Sequence, residues 1–268
     1  MKDRLEALII DIVSFHLDTV SPSKESCSSR VRYNGFFFET FKRIMNDSNG
    51  VPDPFHIPFF HETAGTVADL NTEVRTWSFD RKYTGIDGMQ TAFLRKIKSE
   101  SLYPVSGLSS TISYIIGELV CNIQEHSGAD KGYLAFDINE MDEVLELCIA
   151  DNGISIPGSY LLNGRKEYMK VIGFDSLEAL KYSVRGISTK NRPESESRGY
   201  GISTTQNIIA NGLGGSIVIL TGNTLYFSYK GQEMYMRIPE SSAFGGTIYF
   251  ISIPYKNKSD FNLIEYIS

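Results

Sequence analysis

Ile116-Gly117-Glu118-Leu119-Val120-Cys121-Asn122-Ile123-Gln124-Glu125-His126 sets an apolar row beside a polar one. At a helical period, Ile112, Ile115, Ile116, Leu119, Val120 and Ile123 form one apolar stripe, the signature of a helix facing a core. Glu118, Asn122 and His126 recur at every fourth position, so they stack along the neighbouring face. A carboxylate, an amide and an imidazole therefore share one row beside the core. A carboxylate takes a proton from water or a hydroxyl, and an amide oxygen is a hard, neutral ligand suited to Mg²⁺. The same spacing also fits an ordinary surface row, so the decision needs companions elsewhere in the chain.

Three companions follow. Asp151-Asn152-Gly153-Ile154-Ser155-Ile156-Pro157 comes directly after the strand-like run 144–150. Arg198-Gly199-Tyr200-Gly201-Ile202-Ser203 opens a helix-like segment. Gly245-Gly246-Thr247 leads into the last apolar run. Free N–H groups at the start of the second segment, with the helix dipole, make a natural phosphate cradle. In this order the asparagine helix, D-x-G, R-G-x-G and G-G-T resemble the ATP-binding fold of the GHKL superfamily. That superfamily unites gyrase, a heat-shock chaperone, histidine kinases and MutL. In style the chain is closest to the soluble anti-sigma-factor kinases. The resemblance covers about residues 104–254, and four boxes in order at compatible spacing are a specific signal.

The resemblance implies a two-layer α/β sandwich with a mixed sheet, helices on one face, and ATP with Mg²⁺ as ligands. It implies that Asp151 accepts a hydrogen bond from the adenine amino group, with Gly153 allowing close backbone approach and Thr247 supporting the contact through its hydroxyl. Asn122 would hold Mg²⁺, and Glu118 is the candidate general base. Gly199, Tyr200, Gly201 and Ile202 would cradle phosphate, with Arg198 as a fork and Lys190 as a point charge. His126 either contacts the ligand or hydrogen-bonds behind it. Ser155 stands where the family has a second glycine, and its Cβ changes what the turn can do.

Composition narrows the classes. Hydrophobic residues at 41% and charged residues at 22% suit a globular domain with a substantial core. A net charge of −6 argues against nucleic acid or an anionic membrane as partner. Cys27, Cys121 and Cys148 show no C-x-x-C spacing, which suits a reducing cytosol. No apolar run approaches the roughly 20 residues of a membrane span. Asp11 interrupts the apolar start Leu5 to Val13, so no signal peptide is expected, and the expected location is cytoplasmic.

Along the chain, residues 1–103 read as a smaller α/β region without a legible motif, 104–256 as the ATP-binding domain, and 257–268 as a C-terminal tail. In the first region, 7–13 reads as a strand, Asn34 as the cap of a helix through Met45, and 47–60 as a proline-broken connection. Asp87 reads as the cap of a helix with Met89, Phe93, Leu94 and Ile97 inward. His61-Glu62 imitates a phosphoacceptor pair, but prolines precede it and no heptad pattern surrounds it. His16 and His56 lack metal-ligand spacing.

Within the domain, 132–138 and 144–150 read as neighbouring strands. Asp175-Ser176-Leu177-Glu178 opens a short helix, and 186–197 has the composition of a mobile loop, where the resemblance implies a nucleotide-responsive ATP lid. A helix runs from Tyr200 to Asn211-Gly212. Strands follow at 216–221, 224–230, 233–238 and 247–253, with turns at Gly222-Asn223 and Gly231-Gln232. The expected function is Mg-ATP binding with hydrolysis, or phosphoryl transfer to a protein serine or threonine. The competing expectation is a catalytically weak, nucleotide-gated interaction module. Expected partners are ATP or ADP and a protein, and a homodimer stays open.

Overall fold

The structure is a computed structural model that describes residues 60–61, 76–80, 86–100, 108–139, 143–163, 175–187, 201–238, 243–255 and 261–267. The readings of 7–13 and 34–45 lie outside the described residues, as does most of 47–60. The fold is α/β, with one eight-stranded sheet and a layer of helices. The strands are β1 Phe60–His61, β2 Thr76–Asp80, β3 Lys131–Asn139, β4 Val144–Asp151, β5 Ser216–Gly222, β6 Thr224–Tyr229, β7 Gln232–Arg237 and β8 Phe244–Pro254. Their order across the sheet is β1-β2-β3-β4-β8-β5-β6-β7. Every neighbouring pair from β2 to β7 is antiparallel. The sheet is mixed only at its edge, where β1 runs parallel to β2.

The helices are α1 Ile86–Glu100, α2 Ser109–His126, α3 Ile156–Asn163, α4 Ser176–Val184 and α5 Gly201–Gln206, with α5 continuing as a π turn over Asn207–Gly212. The stripe expected on α2 is buried: Thr111, Ile112, Ile115, Ile116, Leu119, Val120 and Ile123 all face the core. Each buried aliphatic side chain there contributes about 1.5–3 kcal/mol before conformational entropy is counted. Opposite it, Leu145, Leu147 and Ile149 of β4 fill the same cluster with Ile217, Ile219 and Ile251. α2 stops where Ser127 Oγ donates to the Ile123 carbonyl at 2.6 Å and accepts the Ala129 N–H at 2.9 Å.

β2 and α1, which precede residue 104, share this sheet and core. β2 pairs with β3 along its length, and Phe93 meets Phe136 edge-on at 5.3 Å. α1 begins one residue before Asp87, so Asp87 lies inside the first turn rather than capping it, where its charge still complements the dipole. Near the C-terminus, Phe261, Leu263, Tyr266 and Ile267 pack against the same core, beside the π turn.

β4 is buried along its whole length, which follows from a sheet with two covered faces. The second face is a separate apolar cluster including Tyr133, Cys148, Ala150, Val218, Leu220, Phe227 and Phe250. No described helix contributes to it. The turn after β6 is centred on Lys230 and Gly231, with φ of 46° and 76°. That is one residue earlier than the sequence suggested, because Tyr229 pairs with Gln232 and a two-residue hairpin of this twist needs positive φ at both positions. Among the described residues, no helix is long and apolar enough to cross a membrane.

Candidate functional site

The floor of the site is the end of β4. Asp151 is its last residue, 3% exposed, and sits opposite Thr247 of β8. Burial pushes its carboxyl up to about 7, against the pull of the Gly153 and Thr247 backbone N–H groups. The Gly153 N–H donates to Asp151 Oδ1 at 2.9 Å. Beyond it, the Ile154 N–H donates to the Ser127 carbonyl at 2.6 Å, and Asn152 Oδ1 accepts the Lys131 N–H at 3.0 Å. The D-N-G turn is thus stitched to the loop that ends α2. A Cβ on Gly153 would lie 2.1 Å from the Ser127 carbonyl oxygen and 2.6 Å from Ala129 N, so that approach admits glycine alone. Gly246 is held for the same reason, since a Cβ there would meet the Asp151 carbonyl oxygen at 2.0 Å.

One wall is α2. Glu118, Asn122 and His126 are half-buried along its flank, as their spacing predicts. The Tyr114 hydroxyl, one turn before Glu118, is held above its ordinary range by burial and by the Glu118 charge. The start of α5 closes over this row: a methyl on Gly201 would stand 3.2 Å from Asn122 Nδ2 and 3.3 Å from Glu118 Oε2. Asn122 Nδ2 is buried with no hydrogen-bond partner among the described residues. A buried amide donor in that state asks for an acceptor.

The opposite wall is α3, a helix the sequence reading left inside a long irregular segment. Ser155 caps it: its Oγ accepts the Gly158 N–H at 3.1 Å, and its carbonyl accepts the Ser159 N–H at 2.8 Å. Pro157 has no N–H to satisfy, and the Ile156 N–H donates to Thr221 Oγ1 at 2.8 Å. The first-turn donors of α3 are therefore used within the protein, and this end is no phosphate cradle. Ser155, which departs from the glycine the resemblance implies, has a structural job of its own. The outer edge is α4, capped by Asp175, whose Oδ1 accepts the Leu177 and Glu178 N–H groups at 2.8 and 3.2 Å. Tyr160 ties the two helices by donating its hydroxyl to the Ile187 carbonyl just past α4.

Between these walls lies a cleft that opens to solvent. Glu118, Asn122, His126, Asp151, Gly201, Ile202 and Thr247 all line it. Gly153 stands beside them in the turn that buttresses Asp151. Lys190, Arg198, Gly199 and Tyr200 lie outside the described residues. Ser155, Tyr160 and Tyr249 line the cleft without having been singled out as lining residues from sequence. The Tyr249 phenol is raised well above its ordinary range by burial and by the Asp151 charge, so it meets a ligand as a neutral hydroxyl.

Thr221 was also missed. It is fully buried behind the cleft, opposite Thr247 on β5. The Ser-x-Pro opening of α3 was a readable cap signal, whereas Thr221 needed the β5–β8 register. Chemically the site offers a buried acid, an ionisable carboxylate and an amide in line, and several hydroxyls. No protein-family model and no curated protein matches the chain.

Proposed function

We propose that this is a Mg-ATP-binding protein of the GHKL type that hydrolyses ATP or transfers its γ-phosphate to a protein serine or threonine. The observation that carries the reading is the convergence of four separated stretches on one cleft: the α2 row, Asp151, Gly201 with Ile202, and Thr247. Sequence spacing alone did not require these stretches to meet. The glycines support it physically, since Gly153 and Gly246 are needed for backbone to approach the residue that would read the base.

In this reading Asp151 accepts the exocyclic amino group of adenine and Thr247 presents its hydroxyl alongside. The orphaned Asn122 Nδ2 suits a phosphate oxygen, and its Oδ1 suits a hard cation. Mg²⁺ commonly keeps one or two protein oxygens and takes the rest from phosphate and water, and when bound it neutralises phosphate charge. Glu118, one turn before Asn122, orients a water or a partner hydroxyl and takes its proton. Gly201 brings the α5 backbone against both side chains.

The test is thermal denaturation with ATP, ADP, GTP and Mg²⁺. Adenine nucleotide at a hundredfold excess over its Kd stabilises the fold by about 2.7 kcal/mol. GTP does much less, because its base offers an oxygen where Asp151 expects a donor. A folded sample that responds to no adenine nucleotide overturns the reading.

A further inference from the structure

We propose that β7 is a dimerisation edge: two copies of this chain pair β7 to β7, antiparallel about a two-fold axis at Tyr235, and join their sheets into one. The inference is independent of the nucleotide reading above.

β7 closes one side of the sheet, and among the described residues no strand pairs with its outer edge. Gln232, Glu233 and Arg237 are exposed there, and Met234, Tyr235 and Met236 are half-buried. Tyr229 and Gln232 close the two-residue hairpin, and the Ile238 N–H donates to the Asn223 carbonyl at 2.8 Å at the far end of the ladder. Hydrogen bonding alternates along an antiparallel ladder. The even-numbered residues of β7 therefore bond to β6, while Glu233, Tyr235 and Arg237 turn their N–H and C=O groups outward. Such a row is a template for another strand.

The side chains select the occupant. Glu233-Met234-Tyr235-Met236-Arg237 reads alike from either end, except that its terminal charges are opposite. In an antiparallel pair centred on Tyr235, each Glu233 stands opposite Arg237 of the second copy, Met234 opposite Met236, and Tyr235 opposite itself. The outward backbone groups meet there as bonded pairs, so one register satisfies backbone and charge together. Sliding the copies by two residues breaks both ion pairs, and sliding by four sets like charges face to face. Charges on an edge strand commonly deter pairing. Opposite charges at equal distances from Tyr235 instead favour one isologous pairing.

Both charges are held in place beforehand. Glu233 Oε1 accepts the Tyr226 hydroxyl at 2.8 Å, and the Arg237 guanidinium donates to Asp175 Oδ2. The guanidinium keeps further donors for a carboxylate of the second copy, and side chains already ordered lose less entropy on association. Asp175 caps α4, so the joined edge adjoins the outer wall of the cleft.

The experiment is sedimentation equilibrium of the full chain over a wide concentration range. Wild type associates to a dimer. Glu233→Arg and Arg237→Glu each weaken its Kd by about tenfold or more, because two cross-strand pairs turn from attractive to repulsive. An equimolar mixture of the two variants returns to within about threefold of the wild-type Kd, since every facing pair is again opposite in charge. Mixing would not mend a merely structural defect in either variant. Wild type that stays monomeric to millimolar concentration overturns the inference. So does a dimer that the single variants leave unchanged, or that the mixture fails to restore. Should a charge variant not fold, Tyr235→Cys and Met234→Cys decide under mild oxidation. The Tyr235 Cα atoms of the two copies would stand about 5.5 Å apart, within disulfide reach, whereas the diagonal Met234 pair lies beyond it. Tyr235→Cys therefore forms a disulfide-linked dimer. A Tyr235→Cys protein that links no more than wild type, or no more than Met234→Cys, overturns the inference.

Discussion

Replacing Asp151 by asparagine should make the empty protein more stable at alkaline pH. The carboxyl is buried at the end of β4, and burial holds it at about 7 against an ordinary 3.8. An acid raised in the folded state keeps its proton longer than in the unfolded chain. Between pH 4 and 7 the folded protein therefore binds more protons, and stability falls as pH rises. The contribution is fully present below pH 3.8 and is lost as pH climbs through 7. The gap between the two values, at roughly 1.36 kcal/mol per pH step, comes to about 4 kcal/mol. Asp151→Asn carries no such titration, and its amide oxygen still accepts from the Gly153 N–H.

Urea unfolding of both proteins from pH 5 to pH 8.5, without nucleotide, reads the difference directly. The mutant's stability relative to wild type should climb by about 2.7 kcal/mol across that range, the part of the titration that lies between pH 5 and pH 7. ATP should narrow the mutant's advantage by about 1.5–3 kcal/mol, the worth of an amino donor on the carboxylate, which the mutant loses. Wild-type ATP affinity should then strengthen as pH rises through 7. A stability difference that stays flat with pH would refute the buried-acid argument.

Glu118→Gln should bind ATP as wild type does while losing about 10²–10⁴-fold in hydrolysis or transfer, followed by phosphate release. Asn122→Ala should also lose the Mg²⁺-dependent part of the affinity in a calorimetric titration. Wild type that binds ATP but never turns over, alone or with its protein partner, would leave the nucleotide-gated module standing. Ser155→Ala should cost about 1 kcal/mol in urea unfolding through loss of the α3 cap, while Ser155→Gly should cost only a few tenths. Equal stability of all three forms would deny the capping role.

α2 was legible because its stripe, Ile112 to Ile123, repeats at the helical period for about three turns, and nothing tertiary was needed to read it. Asp175 was legible because a cap is a local device. The β5–β6–β7 meander followed from short turns between apolar runs, with one turn misplaced by a single residue. α3 carries one local signal, the Ser155 cap before Pro157, but its eight residues give little period. The π turn over Asn207–Gly212 has no local signal, and its wider hydrogen bond, from the Leu213 N–H to the Ile208 carbonyl, shows only in three dimensions. The gathering of Glu118, Asp151, Gly201 and Thr247 was an expectation by resemblance. Physically it depends on β-pairing between residues about a hundred positions apart, which no window along the chain contains.

That pairing has a consequence for the chain as it is made. Among the described residues β8 is the last strand in sequence, yet it lies between β4 and β5 at the middle of the sheet. A growing chain can form the β3–β4 hairpin and the β5–β6–β7 meander early, but these are two half-sheets with a gap between them. Only when Phe244–Pro254 has left the ribosome can the gap close, and it brings Thr247 to Asp151 in the same step. Nucleotide affinity should thus arrive abruptly and last during synthesis. A chain stalled before residue 244 would present two unpaired strand edges to whatever chaperone stands at the exit tunnel.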